Sequence, residues 1–219
     1  MSSNSDEKNE VAGIRRDYEG EELVESAVKD NPIDQFKVWF EKALSSDLLD
    51  PNAMTLSTAT KNGRPSSRIV LLKGIDDQGF RFYTNYGSRK GRELDENPQA
   101  ALCFYWSELE RQVRIEGKVE KVSREESETY FRQRPRLSQL GAWASKQSTE
   151  VHSRKELESN FKSVRQEFKD QDVPLPDFWG GYLLRPTRIE FWQGRKGRLH
   201  DRICYEKEGG EWEIFRLAP

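Results

Sequence analysis

The chain has 219 residues with 36 Lys and Arg against 38 Asp and Glu, a formal net charge of −2, which argues against a globally basic nucleic-acid binder and makes any cationic site local. Its hydrophobic share is only 34%, yet 11 Phe, 7 Tyr and 6 Trp supply bulky core material, and a chain of this length can bury a sizeable core. Two cysteines (Cys103, Cys204), two histidines (His152, His200), the polar start MSSNSDEKNE and the lack of any long apolar run disfavour a disulfide framework, a metal centre, a signal peptide and a membrane helix, so a soluble, cytoplasmic chain is expected.

Residues 1–13 are polar and read as a mobile arm, and one domain is expected over 14–219. A short basic and aromatic insert, 14–18, precedes an acidic stretch at 19–25. Asn31-Pro32 reads as a helix N-cap followed by Pro at the first helical position, and Ile33, Phe36, Phe40, Ala43 and Leu44 recur at helical spacing. From Ala53 the period becomes two, with Met54, Leu56 and Thr58 alternating, and Asn62-Gly63 turns the chain into a second strand over 67–73. The turn at 76–79 leads to a third strand, 80–84, then to a cationic helix from Ser88 to Asn97-Pro98. Residues 100–106 and 112–122 form the next hairpin, helical patterns occupy 124–133, 136–144 and 153–169, and strands return at 182–192, 199–205 and 212–216. Short strands joined by hairpin turns favour an antiparallel barrel, mainly β with flanking helices, over a parallel α/β sheet. Neither a dinucleotide fingerprint nor a P-loop occurs.

Cations inside apolar strands carry the chemical signal. Arg68 and Lys73 bracket the run Ile69-Val70-Leu71-Leu72, where a charge is costly unless an anion pairs with it. Tyr83, Thr84, Arg89 and Lys90 follow one hairpin later, and hydroxyls with Arg and Lys at a helix N-terminus are what a phosphate dianion needs. A second phosphate-like group is Tyr130, Arg134 and Ser138, spaced by four around Pro135. The third is Trp192 with the segment 198–202; in a strand, Arg198, His200 and Arg202 share a face, and two flanking cations would keep the imidazole neutral. Two anion sites and a neutral base suggest two phosphorylated ligands. A flavin carrier would not need the second group, and the interleaved acids weaken an RNA-binding alternative.

The ordered motifs RIVLLK (68–73), FYTN (82–85), SRK (88–90), RQVRIEG (111–117), YFRQRPR (130–136), GAWASKQS (141–148), FWGG (178–181), EFWQG (190–194), RLHDR (198–202) and RLAP (216–219) closely resemble the pyridoxamine (pyridoxine) 5′-phosphate oxidase family. The resemblance implies an FMN-binding split β-barrel homodimer. It also implies oxidation of pyridoxine or pyridoxamine 5′-phosphate to pyridoxal 5′-phosphate, with O2 reduced to H2O2. It places FMN contacts at Arg68, Ile69, Val70, Leu71, Leu72, Lys73, Tyr83, Thr84, Arg89, Lys90, Gln112, Gln147, Ser148, Trp192 and Arg202. Substrate contacts fall on Lys73, Tyr130, Arg134, Ser138, Arg198, Leu199 and His200, with Arg198 and His200 as the catalytic pair. An active-site arm falls on Arg15, Arg16, Asp17 and Tyr18.

Overall fold

The computed structural model describes residues 11, 13, 14 and 16–219. Most of the expected arm 1–13, and Arg15 with it, lies outside the described residues. Helix α1 (Pro32–Leu44) starts as the sequence suggests: the Asn31 side chain accepts the Ile33 N–H at 2.9 Å and Pro32 occupies the first helical position. Its apolar stripe, Ile33, Phe36, Trp39 and Ala43, is buried. Phe36 meets Phe80 and Phe104 edge-on at 4.9 and 5.0 Å, and Trp39 meets Phe191 at 5.2 Å, so the helix packs its apolar stripe into the main core.

Nine strands follow: β1 (Ala53–Ala59), β2 (Pro65–Leu71), β3 (Gly74–Asp76), β4 (Gly79–Asn85), β5 (Gln99–Trp106), β6 (Arg111–Lys121), β7 (Trp179–Gln193), β8 (Asp201–Glu208) and β9 (Glu211–Arg216). Every pairing is antiparallel, in the order β2-β1-β5-β6-β7-β4-β3, with β8 on β7 and β9 on β8. The fold is a split β-barrel. Strand β7 produces the split, because one edge pairs with β6 (182–193) while the other pairs first with β4 (179–184) and then with β8 (188–193). Pro186, which has no N–H to donate, falls at the change of partner. The β6 register shifts there, between Glu116 and Gly117. A Cβ on Gly117 would stand 2.0 Å from the Arg185 carbonyl oxygen, so only glycine permits that approach.

Helix α2 (Arg89–Glu96) links β4 to β5, and α3 (Arg124–Gln133), α4 (Arg136–Ala144) and α5 (Arg154–Glu167) lie between β6 and β7. Phe131, Leu140, Phe168, Val173, Leu175 and Trp179 form a second core that holds these helices against the start of β7. Two strand boundaries differ from expectation. The run 68–73 is only partly buried: β2 is an edge strand with Ile69 and Leu71 65% and 40% exposed, Leu72 enters the core, and Lys73 lies beyond the strand's end. Strand β8 begins at Asp201, so Arg198 and His200 precede it and share no strand face with Arg202. No described helix is long and apolar enough to cross a membrane.

Candidate functional site

A cavity of about 580 Å³ opens between the free edge of β2, strand β4, helix α2 and the α3–α4 junction. Lys73, Tyr83, Thr84 and Lys90 of the first phosphate-like group line it together with Tyr130, Arg134 and Ser138 of the second and with Gln147, whereas Arg68 and Arg89 are not among its lining residues. A Cβ on Gly181 would stand 2.7 Å from the Tyr83 ring and one on Gly180 2.1 Å from the Tyr86 hydroxyl, which explains the glycine pair after Trp179. Tyr83, Tyr130 and Trp179 build an aromatic wall, with Tyr83 and Tyr130 stacked at 3.9 Å and Tyr130 and Trp179 nearly parallel at 6.2 Å. Burial, reinforced by Glu126, pushes the Tyr83 phenol up to about 12.

Two enclosed cations in this cavity, Lys90 and Arg134, have no counter-charge among the described residues, and the exposed Lys73 forms no ion pair among them either. Lys90 is 7% exposed; its Nζ donates to Thr84 Oγ1 at 3.2 Å and to Gln147 Oε1 at 3.3 Å. Burial lowers its pKa, and the Arg68 charge adds to the effect. Arg134 is the C-cap residue of α3, its backbone N–H donating to the Phe131 carbonyl, while its guanidinium lies 4.5 Å from the Trp179 ring centroid and has a buried Nη1 without a hydrogen-bond partner. Burial lowers its pKa as well. Among the described residues neither cation has a carboxylate within ion-pair distance. A buried unpaired donor costs about 1–3 kcal/mol, which an incoming anion would recover.

Other cations expected at the first phosphate are already engaged. Arg68 reaches Glu93 at 3.4 Å and Arg89 reaches it at 2.9 Å. Glu93 was not legible as a site residue, although its i+4 spacing from Arg89 is a signal that pattern reading can use. Ser148 has a left-handed φ of 66° and lines a neighbouring hollow rather than this cavity.

The remaining expected residues gather at the opposite end of β7. Trp192 lies about eleven residues beyond Gly181, the partner of Tyr83, or roughly 36 Å of extended strand. Around it Tyr18 and His200 form an aromatic cluster, with centroids 5.6 Å from Tyr18 to Trp192, 5.1 Å from Tyr18 to His200 and 4.7 Å from Trp192 to His200. His200 Nδ1 accepts the Arg195 backbone N–H at 3.1 Å, which places the proton of the neutral ring on Nε2. Its pKa is lowered chiefly by burial and then by Arg198, while Asp201 opposes them, so the neutral imidazole expected from two flanking cations has a different main cause. Arg198 projects from an exposed turn with φ 61°, beside Leu199, which is also exposed. Arg202 instead grips Glu190 with two bonds of 3.0 and 2.9 Å. Gln112, Trp192 and Arg202 stand side by side on adjacent strands. The arm is held by Glu110, which accepts the backbone N–H groups of Glu19 and Gly20 at 2.7 and 2.9 Å and pairs with Arg16 at 3.3 Å. Asp17 is exposed beside Tyr18.

The antiparallel split barrel with its flanking helices is the fold class of the FMN-binding split-barrel proteins. The family profile described as pyridoxamine 5′-phosphate oxidase matches residues 40–168, and that described as pyridoxine 5′-phosphate oxidase C-terminal dimerisation region matches residues 179–219. The chain is 56% identical over 212 residues to the pyridoxine/pyridoxamine 5′-phosphate oxidase of Rubrobacter xylanophilus, covering 97% of this chain and 98% of the relative. It is also 56% identical over 212 residues to that of Salinibacter ruber, covering 95% and 99%. The chain belongs to the pyridoxamine 5′-phosphate oxidase family of oxidoreductases, as its motifs suggest. Among solved structures, PhzG from Burkholderia lata in complex with tetrahydrophenazine-1-carboxylic acid superposes with a TM-score of 0.86 at 33% identity, over 91% of this chain and 99% of that one. A pyridoxamine 5′-phosphate oxidase-related, FMN-binding protein of Nostoc punctiforme, 18% identical over 84% of this chain and 97% of that one, shares the fold with a TM-score of 0.68.

Proposed function

We propose that this chain oxidises pyridoxine 5′-phosphate to pyridoxal 5′-phosphate with FMN as cofactor, O2 being reduced to H2O2. Pyridoxamine 5′-phosphate would follow the same course, with water consumed and ammonia released. The observation that carries this reading is a pair of cations without carboxylates facing one cavity, the buried Lys90 and the half-buried Arg134 with its buried, unpartnered Nη1. The donor set suits two phosphomonoesters: Arg68, Arg89 and Lys90 with Thr84 for the FMN phosphate, and Lys73, Tyr130, Arg134 and Ser138 for that of the substrate. Bound FMN would supply the two-electron chemistry, accepting hydride from the substrate's C4′ and passing the electrons to O2. The chain's own part is to hold the phosphate, exclude water with the Tyr83, Tyr130 and Trp179 wall, and orient the pyridine ring through Arg198 and His200, whose Nε2 proton is available to a substrate oxygen.

The working form in this reading is a homodimer. Arg198 and His200 lie too far along β7 to meet a ligand in their own chain's cavity. The outer sheet face exposes Ile69, Leu71 and Tyr105, the last by 53%, and a second copy on that face would bury them and bring its Trp192–His200 cluster to this cavity. The description of the matched 179–219 region as a dimerisation region supports the same arrangement.

The test is to supply purified, FMN-loaded protein with pyridoxine 5′-phosphate and O2. Equal amounts of pyridoxal 5′-phosphate and H2O2 are expected. A protein that neither retains FMN nor forms either product would overturn the reading.

A further inference from the structure

Glu93 is nearly fully buried on α2 and belongs to none of the roles above. Its Oε1 accepts from Arg89 Nε at 2.9 Å, one helical turn away. Its Oε2 accepts from the hydroxyls of Thr58 and Ser66, each at 2.5 Å, and lies 3.4 Å from Arg68 Nη2. Arg68 also donates to Thr58 Oγ1 at 2.6 Å, to the Leu56 carbonyl at 3.2 Å and to Ser66 Oγ. A guanidinium cannot accept and an ionised carboxylate cannot donate, so each hydroxyl must take from Arg68 and give to Glu93. The polarity of the network is therefore fixed.

Such a network belongs to a buried carboxylate that stays ionised. Burial alone would raise the Glu93 pKa, but hydrogen bonds from Ser66, Thr58 and Arg89 hold it at about 2. Lys90, next to Arg89 in sequence, points instead to Thr84 and Gln147. Three cations and one carboxylate leave a net charge matching a phosphate dianion, and without the carboxylate the guanidiniums would repel each other and splay toward solvent.

We propose that Glu93 is a positioning residue for phosphate recognition: directly and through Thr58 and Ser66, it fixes the Arg89 and Arg68 guanidiniums in the orientation in which they receive the FMN phosphate. This rests on the assignment of that phosphate to Arg68, Arg89 and Lys90. It makes Thr58 and Ser66 part of the cofactor site although they face the carboxylate rather than the cavity.

FMN and riboflavin, which lacks the phosphate, separate this role from a structural one. The full-length chain, freed of flavin, is titrated with each, and quenching of flavin fluorescence gives the two dissociation constants. Glu93→Gln is expected to weaken FMN binding about 10- to 100-fold and to leave riboflavin within about twofold, since only charge-assisted contacts to phosphate are disturbed. Ser66→Ala, which keeps the carboxylate and removes one relay hydroxyl, is expected to change FMN affinity in the same direction by about 2- to 10-fold. It decides the matter if Glu93→Gln does not fold. Unchanged or tighter FMN binding, or equal weakening of both flavins, overturns the proposal. A wild-type chain that binds FMN no better than riboflavin overturns the phosphate assignment beneath it.

Discussion

The two ends of β7 treat charge in opposite ways. At the cavity end, the buried Lys90 and the half-buried Arg134 have hydroxyl, amide and aromatic neighbours but no carboxylate. At the far end Arg202 is clamped to Glu190, Asp201 joins Arg195 to Arg216, and Glu110 gathers the backbone N–H groups of the arm. Arg202, whose counter-charge is Glu190 alone, contributes to the fold, and Arg68 and Arg89 share the single carboxylate of Glu93, which leaves them an excess of positive charge. Lys90 and Arg134, with no carboxylate at all, are set for a ligand at a cost in stability. The difference supports the proposed binding role of Arg134 and Lys90, which sequence spacing alone leaves open.

The largest expected effect tests the structural half of this contrast. Arg202→Ala leaves the nearly buried Glu190 with only the longer 3.5 Å contact to Arg114, and should cost about 3 kcal/mol of stability. Denaturant melts of flavin-free protein measure it; a loss below about 0.5 kcal/mol would show that the clamp is ornamental. Arg134→Ala should behave the other way. It removes a desolvated cation, so the ligand-free melting temperature stays the same or rises, while substrate affinity falls by about 1.5–3 kcal/mol, or roughly 10- to 150-fold, with FMN content retained. Loss of FMN in this variant would mean that the two phosphates are assigned the wrong way round.

A smaller effect concerns His200. Its pKa is lower folded than unfolded, so the folded state resists a proton that the unfolded state accepts. Its contribution to stability is therefore full above the ordinary histidine value of about 6.5 and declines as pH falls below it toward the folded pKa. Comparing wild type with His200→Gln across pH 5 to 8 should show a shallower acid-side loss in the variant. An identical slope would place the titration elsewhere.

The elements themselves were largely legible. Asn31-Pro32, Asn62-Gly63 and the Ser88 cap are local signals, and the helices over 124–133 and 136–144 fall where their periodicity ends at Arg134 and Pro135. Strand β3 has only three residues, too few to show a period. The exposure of Ile69 and Leu71 depends on β2 ending the sheet, and strand order is a non-local property that hydrophobic runs do not encode. Both phosphate-like groups were legible because clustered Arg, Lys and hydroxyl residues are chemically distinctive. Their meeting in one cavity was not, since β2 and β4 share no ladder. Arg198 was misplaced because a left-handed φ at a residue other than glycine has no sequence signature here. Glu93 was missed because Thr58 and Ser66, which reveal its role, lie about thirty residues upstream.

The separation of the clusters makes a shared site between two copies the central claim, and complementation measures it directly. Arg134→Ala damages the cavity half of the proposed site, and His200→Ala the β7-end half. Co-expressed chains carrying one lesion each should form mixed dimers in which one site holds both lesions and the other holds none. With random pairing, turnover at low pyridoxine 5′-phosphate should recover to about a quarter of the wild-type value, well above either variant alone. Activity no higher than the mean of the two separate variants would contradict a site shared between copies.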